Sequence, residues 1–324
     1  MRTIKTIDAE VAGEAVRLVV AGGPSVSGRT MAEKLAWLRR HGEGLRRLLM
    51  LEPRGHAGMH GALFTEPVTP DARAGVLAMH ASGFPLVSGE AIIAAVTLAI
   101  ENGIMQGEVD DLPIDTAAGL MRVRPAYDDD PSHEPGVPRV SSVTLTGVPS
   151  FVRAAGLSLQ IGNRKVAVDV AFGGEFYAIA DSEAVGIPVE IANGPALIRM
   201  GREIKEAVES TLHISHPSDS RLQGIQGTIF TGAPRAEADL RSATVLDGEV
   251  LRRSPGATGT AALVAVIDAM GLLGEEQRFR HEGILGTVLQ ARVVGRKQID
   301  EIEAVTPLVE GSARVTGYHE FVDW

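Results

Sequence analysis

The chain has 324 residues, and 41 aspartates and glutamates against 31 lysines and arginines leave it at −10. That balance argues against electrostatic capture of nucleic acid or an anionic membrane, and 44% hydrophobic with 22% charged residues excludes whole-chain disorder and fibrous repeats. The absence of cysteine removes disulfides, thiolate metal sites and thiol catalysis, and it fits a reducing cytoplasm.

In the first 20 residues Lys5, Asp8, Glu10, Glu14 and Arg17 interrupt every apolar run, so neither a signal peptide nor a membrane anchor is expected. A cytoplasmic protein is. Val16 to Val20 reads as a strand, Met31 to Arg40 as an amphipathic helix and Leu48 to Leu51 as a further strand, a mixture that predicts an α/β or α+β fold. The apolar run Ala91 to Glu101 predicts a buried helix opening at or near Ser88 through Ser88-Gly89-Glu90 and closing at Asn102-Gly103. It is too short to span a membrane, which takes about 18 residues or more.

The polar, proline-rich stretch Tyr127 to Arg139 predicts a linker, and its three consecutive aspartates read as a solvated loop rather than a cation site. Ile7 to Glu14 is similar to Val168 to Glu175, which suggests an internal duplication. The expected halves are 1–148 and 149–311, with a tail at about 312–324 packing back on the first. A second buried helix is expected over Thr260 to Gly271, behind the glycine-rich turn Ser254 to Gly259.

Several features carry blander readings. Gly22-Gly23 and Gly173-Gly174 lack a full nucleotide fingerprint, Phe176 and Tyr177 read as core, and His213 with His216 reads as a surface turn before Pro217. His56 and His60 have the spacing of a metal pair, but Pro53 and Gly58 speak against a helix and no third ligand is seen, so no metal is expected.

At Glu52 to Gly61 (EPRGHAGMHG) the sequence resembles the proline racemase family, which carries a PRGHxDMYG-like stretch. Four further stretches match in order: His80 to Ala95, Gly173 to Ile187, Arg252 to Thr260 (RRSPGATGT, against DRSPCGTGT) and Gly311 to Phe321. The resemblance implies two similar α/β domains of the diaminopimelate-epimerase type, an active-site cleft between them, and usually a homodimer. It also implies cofactor-independent chemistry at the Cα–H of proline or hydroxyprolines. One acid/base residue comes from each domain: two thiols for racemisation or epimerisation, a thiol and a threonine for dehydration of trans-3-hydroxy-L-proline, or a serine and a cysteine.

Carried over by position, the first acid/base residue falls on Ser88 and the second on Gly256, which has no side chain. Glu90 stands where the family has a histidine, and Arg252 where an aspartate approaches the substrate amine. Ser254, Pro255, Thr258, Gly259 and Thr260 keep the family pattern. Ser88 and Glu90 are therefore the expected catalytic residues, and Gly89, Arg252, Gly256, Ala257, Thr258, Gly259, Thr260 and His56 the expected substrate-binding ones. Arg252 either lines the site and selects an additional negative charge, or points to solvent.

Racemisation needs a proton-transfer group on each face of Cα, whereas elimination needs one base and an acid for the departing hydroxyl. One-base dehydration of a 3-hydroxyproline-like carboxylate is thus the favoured reading. A ligand-binding member without catalysis, or a different Cα–H reaction on a non-proline carboxylate, stays open.

Overall fold

The computed structural model describes residues 2–105, 110–128, 138–235, 237–274 and 276–323. Residues 129–137 of the expected linker, two of the three aspartates among them, lie outside that set. The chain divides into two compact units, residues 1–145 with 310–324 and residues 146–309.

In the first unit β1 (Arg2–Val11) and β2 (Glu14–Ala21) precede α1 (Met31–His41) and α2 (Glu43–Met50). There follow β3 (His60–Thr65), β4 (Ala74–His80), α3 (Gly89–Glu101), β5 (Leu112–Thr116), β6 (Gly119–Tyr127) and β7 (Val140–Thr146). The C-terminal strand β19 (Ala313–Asp323) pairs with β1.

The second unit holds β8 (Phe151–Ile161), β9 (Arg164–Phe172), β10 (Phe176–Asp181), α4 (Ser182–Val185), α5 (Gly194–Thr211), β11 (Ser215–His216) and β12 (Asp219–Gln223). After these come β13 (Gly227–Gly232), β14 (Leu240–Leu246), β15 (Val250–Leu251), α6 (Ala257–Ala269), β16 (Phe279–Glu282), β17 (Val288–Ile299) and β18 (Ile302–Gly311).

The two units share one pairing pattern. From β19 through β1, β2, β3, β4 and β5 to β6 the neighbours run antiparallel, antiparallel, parallel, antiparallel, parallel, antiparallel. From β8 through β9, β10, β13, β14 and β16 to β17 the same order of orientations returns. Ile7 to Glu14 and Val168 to Glu175 occupy equivalent places, the end of β1 or β9 and the turn into the next strand. α3 and α6 are likewise equivalent, each following the fifth strand of its series, β4 directly and β14 by way of the short β15.

Burial explains why α3 is apolar on every side and α6 over most of its length, Asp268 near its end pairing with Arg296. Every residue of α3 from Gly89 to Ile100 is buried, and the helix packs on β1, β2, β3, β4 and β19. Such a helix has no wet face to mark with polar residues. Packing in the first unit has two sides: Val16, Leu18, Ala62, Val76 and Ala78 pack with α3, while Val19, Leu63, Leu77 and Met79 pack with α1 and α2. Successive side chains on a strand alternate faces, so one parity of each strand belongs to each helix layer.

Three local readings are corrected. Leu48 to Leu51 is no strand: Leu48, Leu49 and Met50 form the buried end of α2. A short apolar run fits either element, and here the helix has Glu43, Arg46 and Arg47 on the preceding turn. α6 opens at Ala257, ahead of the expected Thr260, so Thr258 and Gly259 belong to its first turn. His216 is no surface-turn residue; it lies in β11 with its ring centroid 4.8 Å from that of Phe172 and 5.5 Å from that of Phe151. Desolvation there lowers its pKa below the ordinary histidine value.

Candidate active site

In the first unit strand parity and a helix start bring three polar residues together. His60 and His80 are register partners on β3 and β4, on the parity of Ala62 and Ala78 and hence on the α3 side. Their ring centroids are 4.2 Å apart at an interplanar angle of 61°. Ser88 is the N-cap of α3, with extended backbone (φ −143°, ψ 117°), and its Oγ accepts the N–H of Ala91 at 3.3 Å. The same Oγ lies 3.3 Å from Nδ1 of His60. Ser88, His60 and Glu90 are 5%, 4% and 1% exposed. Gly89 opens the helix and Glu90 sits in its first turn, where the helix dipole favours negative charge.

Charged anchors fix the loops that lead into this cluster. Arg39 donates to the carbonyl of Phe84 from Nε and Nη2 (3.1 and 2.8 Å), and Arg46 donates to that of Ala81 while pairing with Glu43 at 2.7 Å. Beneath the 52–61 segment, the buried Arg17 donates to the carbonyls of Leu49 (2.6 Å) and Arg54 (2.8 Å) and pairs with Asp8 at 2.8 Å. Its guanidinium carbon lies 4.4 Å from the centre of the Phe321 ring. His56 is half-buried. A Cβ on Gly58 would lie 3.5 Å from Glu14 Oε1 and 3.7 Å from His56 Nδ1, so the carboxylate and the imidazole flank this turn.

The equivalent helix start in the second unit is built differently. Gly256 caps α6 at φ +82°, ψ 120°, a conformation that side-chain-bearing residues rarely adopt. Its N–H donates to Ser254 Oγ at 3.2 Å, and Arg252 Nη2 donates to the same hydroxyl at 3.4 Å. Arg252 is 5% exposed, which excludes the solvent-pointing alternative. Its guanidinium stands against the missing side chain: a Cβ on Gly256 would lie 3.4 Å from Nη1.

Inward contacts hold this turn in place. Thr260 Oγ1 donates to the Gly256 carbonyl at 2.7 Å and meets His281 Nδ1 at 2.8 Å, while His281 Nε2 meets Ser242 Oγ at 2.7 Å. With the Thr260 proton committed to Gly256, Nδ1 of His281 is the donor and Ser242 donates to Nε2. Complete burial pushes the His281 pKa down to about 3, so this imidazole is neutral near pH 7. Thr258 Oγ1 is 2.7 Å from the Tyr177 hydroxyl, giving that core residue a polar contact at the helix start. Gly173 permits the close packing, since a Cβ there would come within 2.2 Å of the Thr258 carbonyl oxygen. Ala257 and Gly259 complete the first turn.

The first-unit cluster thus contains proton-transfer groups and the second-unit turn contains a buried cation with no side chain at its cap. Among the described residues no group of histidines and carboxylates is arranged to hold a metal ion. His60, His80 and His281 were not among the expected site residues. His60 lies inside the PRGH-type stretch, at the position of that pattern's tyrosine, and the alternation of β3 against α3 was the signal that could have paired it with Ser88.

A family model described as proline racemase matches residues 6–323. The trans-3-hydroxy-L-proline dehydratase of Bacillus thuringiensis subsp. konkukian is 39% identical over 98% of this chain and 93% of its own. The proline racemase of Clostridioides difficile is 32% identical, over 99% and 95%. A hydroxyproline epimerase from Agrobacterium vitis, solved with bound trans-4-hydroxy-L-proline, superposes with a TM-score of 0.88 at 26% identity, covering 99% of this chain and 94% of that one. The phenazine-biosynthesis PhzF-family protein of Bacillus anthracis, 11% identical with a TM-score of 0.62, shares the fold. Matched from residue 6 to residue 323 and 39% identical to a relative over nearly its whole length, the chain belongs to the proline racemase family.

Proposed function

We propose that the protein catalyses a one-base dehydration of a 3-hydroxyproline-like ring carboxylate, with Ser88 as the residue that takes the Cα proton. The observation that carries this reading is the inequality of the two equivalent helix starts. One bears a buried serine hydroxyl beside an imidazole; the other bears a glycine beside a guanidinium. Inversion at Cα requires a proton-transfer group for each face, and the helix start of the second unit has no side chain at Gly256 to serve as one. Elimination requires one. The Cα–H electron pair becomes the Cα=Cβ bond, the Cβ–O bond breaks, and the departing hydroxide is protonated to water; the resulting enamine tautomerises to a cyclic imine.

Names among the relatives support the substrate class, since trans-3-hydroxy-L-proline dehydratases stand at 34 to 39% identity. The N–H groups at the start of each helix suit a substrate carboxylate, and Arg252 suits an anionic group. A homodimer and a cytoplasmic setting belong to the same reading, on the strength of the family.

The test is proton NMR of trans-3-hydroxy-L-proline with the protein in deuterated water. Loss of the Cβ carbinol signal with formation of the cyclic imine is expected, while L-proline should not racemise. Binding of the compound without turnover or Cα exchange would favour a ligand-binding protein instead.

A further inference from the structure

We infer that His60 is the proton acceptor for Ser88, so that the base of the first unit is a serine–histidine pair in place of a lone hydroxyl. This rests on the reading of Ser88 as the residue that meets the Cα proton.

A neutral serine hydroxyl is too weak a base for an amino-acid Cα–H, and the modest charge effect of a helix N-terminus does not close that gap. A partner that can receive the hydroxyl proton is required, and His60 is in reach, with Nδ1 at 3.3 Å from Oγ. The directions agree. Ser88 Oγ already accepts the Ala91 N–H, which leaves its own proton available to donate toward His60. In the tautomer with Nδ1 bare and the proton on Nε2, the imidazole accepts that proton. Both side chains are more than nine-tenths buried, so water does not compete freely for either partner.

The imidazole is also held. His60 opens β3 opposite His80 on β4, and the edge-on packing of the two rings fixes its plane. β3 is parallel to β2, with His60 in register with Val16. The constellation therefore rests on two paired strands and a helix cap rather than on a mobile loop.

The proton balance is closed within the pair and the substrate. As the Cα–H bond breaks, its proton goes to Ser88 Oγ and the original hydroxyl proton goes to His60 Nδ1, giving an imidazolium. The electron pair left on Cα forms the double bond as the Cβ–O bond breaks. The imidazolium then returns its proton through Ser88, or to solvent, and the departing hydroxide takes up one proton to leave as water. No oxidant or cofactor enters the sum.

His60 acts through Ser88, so the test must separate proton acceptance from mere support. His60→Asn leaves an amide near the Nδ1 position, able to hydrogen-bond the serine but unable to take its proton near neutrality. With trans-3-hydroxy-L-proline as substrate, kcat should fall about 10²- to 10⁴-fold with KM changed less than about threefold, the range expected for loss of a general base. Ser88→Ala should give a similar loss, and the double variant should be no worse than the worse single, as for residues acting as a unit. A His60→Asn enzyme retaining more than about a third of kcat, or losses that multiply in the double variant, would overturn the inference.

A substrate-free measurement keeps the pair testable if that compound is not turned over. In protein labelled with ¹⁵N-histidine, Ser88→Ala should move the Nδ1 resonance of His60, identified by its absence in His60→Asn. An unmoved resonance would refute the pair whatever the substrate, whereas a moved resonance with no turnover would refute only the dehydratase reading.

Discussion

The guanidinium of Arg252 approaches to within 3.4 Å of the point where Gly256 would carry its Cβ. A buried cation therefore stands where a side chain at the cap of α6 would project. The side-chain-free cap and the buried guanidinium are neighbours, and a substitution at either position acts on the other.

Restoring a thiol should not restore racemisation. Gly256→Cys places a side chain on a backbone at φ +82°, and such strain typically costs about 1–3 kcal/mol. The expected outcome is a lower melting temperature and no proline racemisation approaching roughly 1 per second, a modest enzymatic rate. Polarimetry on L-proline together with a thermal melt checks both; an unstrained, fast-racemising variant would contradict the backbone argument.

Arg252 should set a preference for negative charge. A charge-assisted hydrogen bond is worth about 1.5–3 kcal/mol, so Arg252→Asp should shift relative affinity roughly tenfold to a hundredfold toward cationic imino acids. The comparison is calorimetric: trans-3-hydroxyproline against a ring carboxylate lacking the amine, for the wild type, Arg252→Asp and the milder Arg252→Gln. An affinity ratio that stays constant across the three proteins would show that Arg252 is buried for packing alone.

Stability should depend on pH through His281. Its folded pKa is about 3 against an ordinary 6.5, so between these values the unfolded chain takes up a proton that the folded chain refuses. Stability from this group is complete above about pH 6.5 and declines as the pH falls toward 3, by up to about 1.4 kcal/mol per pH unit. Urea unfolding at pH 7, 6, 5 and 4 should show that slope in the wild type and a shallower one in His281→Asn. Equal slopes would place the acid sensitivity elsewhere.

Ser88 should have a structural role separable from its chemistry. Removing a serine N-cap costs about 0.5–2 kcal/mol, so Ser88→Ala should be measurably less stable as well as inactive. Ser88→Asn, which can still cap α3, should recover most of the stability and none of the Cα hydrogen–deuterium exchange. Recovered exchange in that variant would show that a cap is all Ser88 provides.

Residue order alone determined a good part of this protein. The apolar runs behind Ser88 and after Gly256 were legible as buried helices because an interior helix needs no polar face, and the duplicated β-turn stretches were legible because equivalent strands keep similar patterns. Ordered motifs from residue 52 to the C-terminus identified the family. Leu48 to Leu51 was misread because four apolar residues fit a strand and the end of an amphipathic helix equally well.

Only the tertiary structure decided which polar groups meet. His60 and Ser88 are 28 residues apart, and their contact depends on the parity of β3 and on α3 starting at Ser88 against that face. Arg252 could have pointed to solvent on sequence grounds, and its burial follows from the path of the chain between β15 and α6, where the backbone N–H of Arg252 is tied to the Thr244 carbonyl. His281 was unremarked in the sequence because nothing local marks a histidine that a threonine 21 residues earlier and a serine 39 residues earlier will enclose. Local pattern specifies elements through periodicity, whereas a site is specified by side-chain direction and register, which exist only once the strands have paired and the helices have docked.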